Sequence, residues 1–413
     1  MRKNGIIPIS NIRKVEHGRN SQVYLIHQGK YKWIVKKYHR HANDPRKRLE
    51  NEFGFLSFLR NNEMIQIAEP IASDSEKKIG LFSHLPGELP KAINGNLVNQ
   101  ACDFIKKINE SRKEKSAKHL PEASEACFSI ISHINCVNKR VNRLNKTFPV
   151  SSIQYDVSSF VQLSLVTSLE KITDDITKQY SDEKLKQSLP LESRIISPSD
   201  FGFQNTLIKS NTLFFLDFEY AGWDDPAKLV CDFGCHPEIP VKDEYLQTFK
   251  DSFYPWLEDA EDSIHRSEIL MQLYRLKWCC IMLNEFTSRG MDRRNHASKM
   301  FDYENQFQKS KTYYEKIHHW ALGRRKPGIC PLFSVFSGQP ASFRCNFEFQ
   351  NQTCVFRVLL NSLEMQNPKR NLPKRNNMKK YIATLFALAL AIGSITFIGC
   401  GGEPDPDPKA KEE

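Results

Sequence analysis

The sequence predicts an α+β chain of two lobes, a small β-rich one followed by a larger, mainly helical one. Three observations carry this. Alternation of apolar and polar residues is concentrated before residue 84. Helical periodicity dominates residues 95–190 and 243–325. Between those stretches, residues 194–217 switch to short strand-like segments. The length of 413 residues leaves room for two or three packed units. A content of 26% charged and 40% hydrophobic residues excludes a disulfide mini-protein, a collagen-like fibre and a fully disordered chain.

In chain order, Ser21–His27 alternates, with Val23 and Leu25 on one face. Gln28-Gly29-Lys30 turns the chain into a second strand, Tyr31–Tyr38, rich in aromatic and β-branched residues. Asp44-Pro45 reads as an N-cap and N1 proline. The helix it opens carries Leu49, Glu52, Leu56 and Leu59 at spacings of three and four. A strand near Ile79–Ser83 leads to a linker, Leu85-Pro86-Gly87. Helices follow at Leu97–Ile108, Ala123–Leu144 and Val157–Tyr180. Strands are expected at Arg194–Ser197, Thr206–Ser210 and Thr212–Asp217, the last two joined at Ser210-Asn211. Glu268–Phe286 is apolar on most of its circumference and so predicts a core helix of the larger lobe. The expected organisation is a lobe at 1–84, a second at 85–325, an irregular segment at 326–377, and an apolar helix with a polar tail at 378–413.

The formal net charge of +11 permits an anionic partner but names none. No basic stripe with interleaved aromatics occurs in the first 325 residues, which argues against nucleic-acid binding. The 11 cysteines are odd in number and lack CxxC pairs, and Met1–Ser10 has no apolar signal core. A reducing cytosol with buried thiols is expected. Cys231, Cys235 and His236 suggest either a metal corner or buried thiols near a turn; the lack of a second ligand pair favours thiols.

The segment Ser197-Pro198-Ser199-Asp200-Phe201-Gly202-Phe203-Gln204-Asn205, followed by Leu216-Asp217-Phe218-Glu219, carries the sharpest chemical signal. An Asp and an Asn five residues apart share a loop between strands, and a second Asp ends the next hairpin. Phosphoryl transfer needs a carboxylate to orient an acceptor hydroxyl, plus hard oxygen ligands for magnesium. The competing reading is a set of turn residues bonded to their own backbone. Lys36 sits in an apolar strand and Glu52 in the inward stripe of a helix. Each is costly there unless paired, so together they predict an ion pair. Lys37 and Glu50 are the rival members. Gly18-Arg19-Asn20-Ser21 precedes the first strand and offers backbone N–H groups to phosphate.

The ordered set Gly18, Lys36, Glu52, Asp200, Asn205 and Asp217 resembles the aminoglycoside phosphotransferase and choline kinase family. So does the phrase Asp217-Phe218-Glu219-Tyr220-Ala221-Gly222-Trp223-Asp224-Asp225-Pro226-Ala227, followed by Asp232. The resemblance covers about residues 12–320 and implies a protein-kinase-like two-lobe fold with ATP and magnesium as cofactors. It implies Asp200 as catalytic base, Asn205 and Asp217 as magnesium ligands, and Lys36 paired with Glu52 on the phosphates. Gly18, Asn20 and Ser21 would cover the phosphates. Phe82, Ser83 and His84 would form the hinge on which adenine stacks and bonds. Asp232 would be structural, and the partner a small molecule bearing a hydroxyl. The family's histidine two residues before the catalytic Asp is Pro198 here, with Ser197 and Ser199 expected to take over its hydrogen bonds. The glycine loop is poor in glycine. The family's subgroup with a Ser-Pro-Ser-Asp loop is similar, and does not imply antibiotic resistance. The alternative is a catalytically weak or inactive kinase-like module that binds a nucleotide or a partner. Glu219, Asp224 and Asp225 are either substrate-facing or solvated loop charges.

The C-terminal tail has two readings. Tyr381 to Gly399 is an uncharged apolar run, close to the roughly 20 residues a membrane helix needs. Basic residues before it would keep the preceding domain cytoplasmic, with a membrane contact through residues 381–399. Alternatively, Met378 onward, with Phe397-Ile398-Gly399-Cys400, resembles a lipoprotein signal fused behind the preceding domain.

Overall fold

The structure is a computed structural model that describes residues 11–15, 21–39, 46–147, 149, 151–288, 290–291 and 301–321. All of these fall within the compact unit 1–326. Gly18, Asn20, Asp44, Pro45 and the whole tail from residue 322 lie outside the described residues. None of the described helices is long and apolar enough to cross a membrane.

The N-terminal lobe is a five-stranded antiparallel sheet, ordered β1-β2-β3-β5-β4. Its strands are β1 (Asn11–Val15), β2 (Ser21–Gln28), β3 (Tyr31–Tyr38), β4 (Pro70–Asp74) and β5 (Ile79–Ser83). The expected strands are the central three. β1 and β4 are the two edges, where exposed polar residues and a leading proline replace the alternation that betrays a half-buried strand. Helix α1 (Arg48–Asn61) buries Leu49, Glu52, Phe55, Leu56, Phe58 and Leu59. Alternation along β3 puts Lys36 and Tyr38 on one face, and both side chains reach Glu52 of α1.

The larger lobe begins with α2 (Gly95–Glu110), capped by Asn94, whose side chain accepts the Leu97 N–H. Helix α3 (Ile130–Asn145) starts later than its apolar pattern suggested, because Ser129 and Ser132 form a capping box. Residues 123–129 instead run beside the later strand at Trp223, where the Ala123 N–H donates to the Trp223 carbonyl at 2.9 Å. The expected Val157–Tyr180 helix is α4 (Ser152–Phe160) and α5 (Thr167–Thr177) joined by a π turn at Val161–Val166. A short α6 (Asp182–Lys186) follows.

Four short strands then build the loops of interest: β6 (Ile195–Ser197), β7 (Thr206–Lys209), β8 (Thr212–Phe215) and β9 (Gly222–Asp224). β7 and β8 form a hairpin, whereas β6 pairs with β9. At Gly222 the chain passes so close to residues 121–123 that a Cβ would lie 2.2 Å from the Pro121 carbonyl oxygen. Helices α7 (Pro226–Cys235), α8 (Asp243–Phe253), α9 (Ala260–Met282) and α10 (Tyr303–Ala321) complete the lobe. As expected of a core helix, α9 buries residues around most of its circumference.

Two apolar cores result. One joins Phe55, Phe82 and Met64 to Phe104, Phe215, Phe218 and Phe249, so it runs across the linker at residues 85–87. The other gathers α3, the α4–α5 helix, α7, α9 and α10. Cys231 and Cys235 are buried free thiols, and no cluster of possible metal ligands includes them among the described residues.

The reading of Asp224 and Asp225 as loop charges open to solvent or substrate is corrected. Both are fully buried. Asp225 caps α7 by accepting the Ala227 N–H at 2.7 Å, with Pro226 in the first turn. Its other oxygen meets His133 Nε2 at 3.0 Å and the Arg266 guanidinium. Burial opposes its charge, but Arg266 and His133 outweigh burial and hold the carboxyl below the usual range. Asp225→Ala should therefore destabilise the fold by about 3 kcal/mol, since it leaves buried Arg266 with only the partly exposed Asp262 at 3.7 Å. Because the folded pKa is depressed, the wild-type contribution is complete above the unfolded value of about 3.9 and is lost as pH falls below it. Urea unfolding of both proteins at pH 7 and at pH 3 measures this; the gap between them should shrink at the lower pH.

Candidate active site

Two loops, one strand and one helix meet around an excess of carboxylates. Lys36 Nζ lies 2.6 Å from Glu52 Oε1 and 3.2 Å from Asp217 Oδ1. Tyr38 OH donates to the other Glu52 oxygen at 2.5 Å. This separates the rivals. Lys37 is exposed, and Glu50 pairs with Lys78 at 2.5 Å. Lys36 stands opposite Gly80 across the sheet. Burial acts against its charge, but Asp217 and Glu52 more than compensate and keep its pKa above that of an ordinary lysine.

Asp217 follows β8 with a φ of 65°, a left-handed conformation that is unusual for a non-glycine residue and characteristic of constrained functional loops. Glu52, Asp217 and Glu219 each bring a carboxylate oxygen within 4.8 Å of the others. Glu219 is buried rather than solvated, with Arg48 Nε 3.5 Å from its Oε1. Burial and the neighbouring Asp217 push its pKa up to about 8 against the pull of Arg48. Such a concentration of negative oxygens is the donor set that a hard divalent cation prefers.

The second loop hangs between β6 and β7. Asp200 has a one-third-exposed side chain. Burial, with Asp217 adding to it, raises its carboxyl to about 6, against the hydrogen bond from Asn205. Asn205 ends a 3-10 turn, Phe203–Asn205, and donates its amide N–H to the Asp200 carbonyl at 2.8 Å. That leaves its amide oxygen as the end available to a cation.

The serines hold this loop together with the Pro198 carbonyl, which accepts the Asp200 N–H at 2.9 Å. Ser197 Oγ accepts the Ser199 N–H at 2.9 Å. Ser199 has a φ of 67°; its hydroxyl donates to the Ser124 carbonyl at 3.2 Å and accepts from Lys228 Nζ at 3.2 Å. Lys228 is buried between Asp224 at 2.6 Å and Asp232 at 3.5 Å. Asp232 also accepts from Lys277 at 2.8 Å and from the Trp278 indole at 2.9 Å.

The hinge residues divide. Phe82 is 2% exposed and its ring belongs to the first core, so an adenine-stacking role for that ring is corrected. Ser83 is tied to Glu69, whose N–H donates to Ser83 Oγ at 2.8 Å. His84 is partly buried, and burial with Lys32 and His27 lowers its pKa. Ser21 opens β2.

Sequence reasoning missed Tyr38, Arg48 and Lys228. Tyr38 carries a signal, two residues beyond Lys36 on the same strand face. So does Lys228, spaced four residues from Asp232 on the same helix and four from Asp224 just before it. Arg48 carries none, because its acidic partner is remote in sequence.

Known proteins share this arrangement of lobes. The spectinomycin phosphotransferase solved with ADP and spectinomycin superimposes with a TM-score of 0.52 at 13% identity, covering 76% of this chain and 93% of that one. A Plasmodium vivax ethanolamine kinase gives 0.51 at 13% identity, covering 81% and 85%. The fold is protein-kinase-like. Residues 11–126 match the family described as phosphotransferase enzyme family. A search of curated proteins found no match.

Lys36→Met should lower the stability of the ligand-free protein by about 3 kcal/mol, since it removes the cation paired with buried Glu52 and with the partly exposed Asp217. Lys37→Met should change it by no more than about 0.5 kcal/mol. Glu219→Gln should be neutral or stabilising, because it removes a carboxylate that burial and Asp217 already disfavour. Thermal unfolding in chelator-treated buffer ranks the three.

Proposed function

We propose that the chain is a magnesium-dependent phosphotransferase that moves the γ-phosphoryl group of ATP to a hydroxyl of a small molecule. One observation carries the reading: the Lys36–Glu52 pair is joined directly to Asp217, and the Asp200–Asn205 loop is tied to the residue before it, the Leu216 N–H donating to the Asn205 carbonyl at 2.9 Å. The match of residues 11–126 to the phosphotransferase family and the fold of the two solved enzymes support it.

Each side chain has work in this chemistry. Lys36, steered by Glu52 and Tyr38, binds phosphate oxygens and neutralises charge on them. Asp217 and the Asn205 amide oxygen would hold magnesium, with Glu219 adjacent. Bound magnesium supplies charge neutralisation at the phosphates. Asp200 orients the acceptor hydroxyl and takes its proton. A pKa of about 6 makes it a stronger base than a free aspartate, yet still ionised at neutral pH. The lobe of α2–α10 is the acceptor side. The free buried thiols fit a reducing compartment such as the cytoplasm.

A thermal-shift titration tests the nucleotide half. ATP at about 100 times its dissociation constant should stabilise by roughly 2.7 kcal/mol. The shift should require magnesium and vanish in Asp217→Ala. Asp200→Ala should keep the shift and lose phosphorylation of any acceptor found in a screen of sugars, amino alcohols and nucleosides. A magnesium-independent shift would instead indicate a binding module without transfer.

A further inference from the structure

The phosphotransfer roles above leave one buried ring unused. His236 closes α7 and is 5% exposed. Its Nε2 lies 3.7 Å from Asp200 Oδ1. The same oxygen faces a second nitrogen, since Gln204 Nε2 donates to it at 3.3 Å. Pro198 can supply no such donor, having no backbone N–H. The two donors therefore reach the carboxylate from the turn after it and from the end of α7.

Both side chains are pre-set. The Gln204 side chain folds back over Gly202, where a Cβ would sit 2.3 Å from Gln204 Oε1. The His236 ring packs edge-on against Trp278, with centroids 4.2 Å apart. The Trp278 indole is itself pinned, because its N–H donates to Asp232 of the same α7. At its other nitrogen, His236 Nδ1 accepts the Glu238 N–H at 3.3 Å. A neutral ring whose Nδ1 is an acceptor carries its proton on Nε2, the nitrogen that faces Asp200. The 3.7 Å gap is longer than a hydrogen bond; such contacts tighten in the reacting complex or are bridged by water.

We propose that His236, together with Gln204, is a positioning residue that holds Asp200 by Oδ1 and so leaves Oδ2 to take the acceptor's proton. This rests on the phosphotransferase reading. Fixing which oxygen is occupied fixes the rotation of the carboxylate, and small misplacements of a reacting group cost large factors in rate.

Two measurements on the full chain test it. His236→Phe keeps a ring against Trp278 but removes the donor, whereas His236→Gln retains an N–H. With saturating Mg-ATP, transfer of the γ-phosphoryl group to the acceptor from the screen, or to water, read as ADP formed, should fall at least about tenfold in kcat for His236→Phe. KM for ATP should stay unchanged, and His236→Gln should recover most of the loss. A His236→Phe variant with wild-type kcat, or a His236→Gln variant no better than it, would overturn the proposal. Independently of turnover, nitrogen NMR of histidine-labelled protein should show neutral His236 as the Nε2–H tautomer, with an Nε2 resonance that moves in Asp200→Ala. An Nδ1–H tautomer, or a resonance indifferent to Asp200, overturns the clamp even if phosphotransfer is active. Absence of any turnover in the wild type, with the NMR result as expected, counts against the phosphotransferase reading and leaves the clamp standing.

Discussion

Lys36 ties two distant parts of the chain together. Its ammonium lies 2.6 Å from Glu52 on α1 and 3.2 Å from Asp217 after β8, partners 16 and 181 residues away. Around that ammonium stand Glu52, Asp217 and Glu219, the last also paired with Arg48, and the burial of Glu52 and Glu219 makes their repulsion expensive. Added positive charge at the site would relieve that repulsion. Glu219 shows the consequence, since its carboxyl is driven towards the neutral form. A hard cation and a phosphate together would satisfy both halves of this imbalance, one by its charge on the carboxylates and the other by its oxygens on Lys36.

The loop that carries Asp200 is held by a second buried charge network, built to be rigid rather than reactive. Lys228 links Ser199, Asp224 and Asp232, and Asp232 gathers Lys277 and Trp278. Here cations and carboxylates are closely matched and hydrogen-bonded, the condition under which buried charges are tolerated. The network touches Ser199, the strained residue just before Asp200. Strain at Ser199 and Asp217 thus persists because the surrounding packing over-determines both loops. Stability in the helical lobe and geometry at Asp200 share the same side chains.

Much of this was legible in the sequence, for reasons that are physical. A lysine in an apolar strand and a glutamate in an apolar helix stripe are each costly, so their pairing could be read before any fold was known. The choice of Lys36 over Lys37, and of Glu52 over Glu50, follows from which strand and helix faces meet, which a single sequence states only weakly. The edge strands β1 and β4 were silent because an edge buries little. β9 and α7 were missed because three residues of strand carry no period, and because Asp224-Asp225 resembles a solvated acidic turn. His133 and Arg266, the partners of Asp225, are brought to it by the fold. His236 was visible only as a neighbour of two cysteines; its contact with Asp200 is purely tertiary. Phe82, given an adenine-stacking role by the family resemblance, has its ring in the core, a placement that the apolar residue type alone could have suggested.

The most direct test of this account is a crystal structure of the protein with manganese and a non-hydrolysable ATP analogue, located by anomalous scattering. The account predicts a manganese peak on Asp217 and Asn205, with analogue phosphate oxygens in contact with Lys36. A nucleotide bound away from Lys36, or a phosphate there with no metal on Asp217, would contradict it.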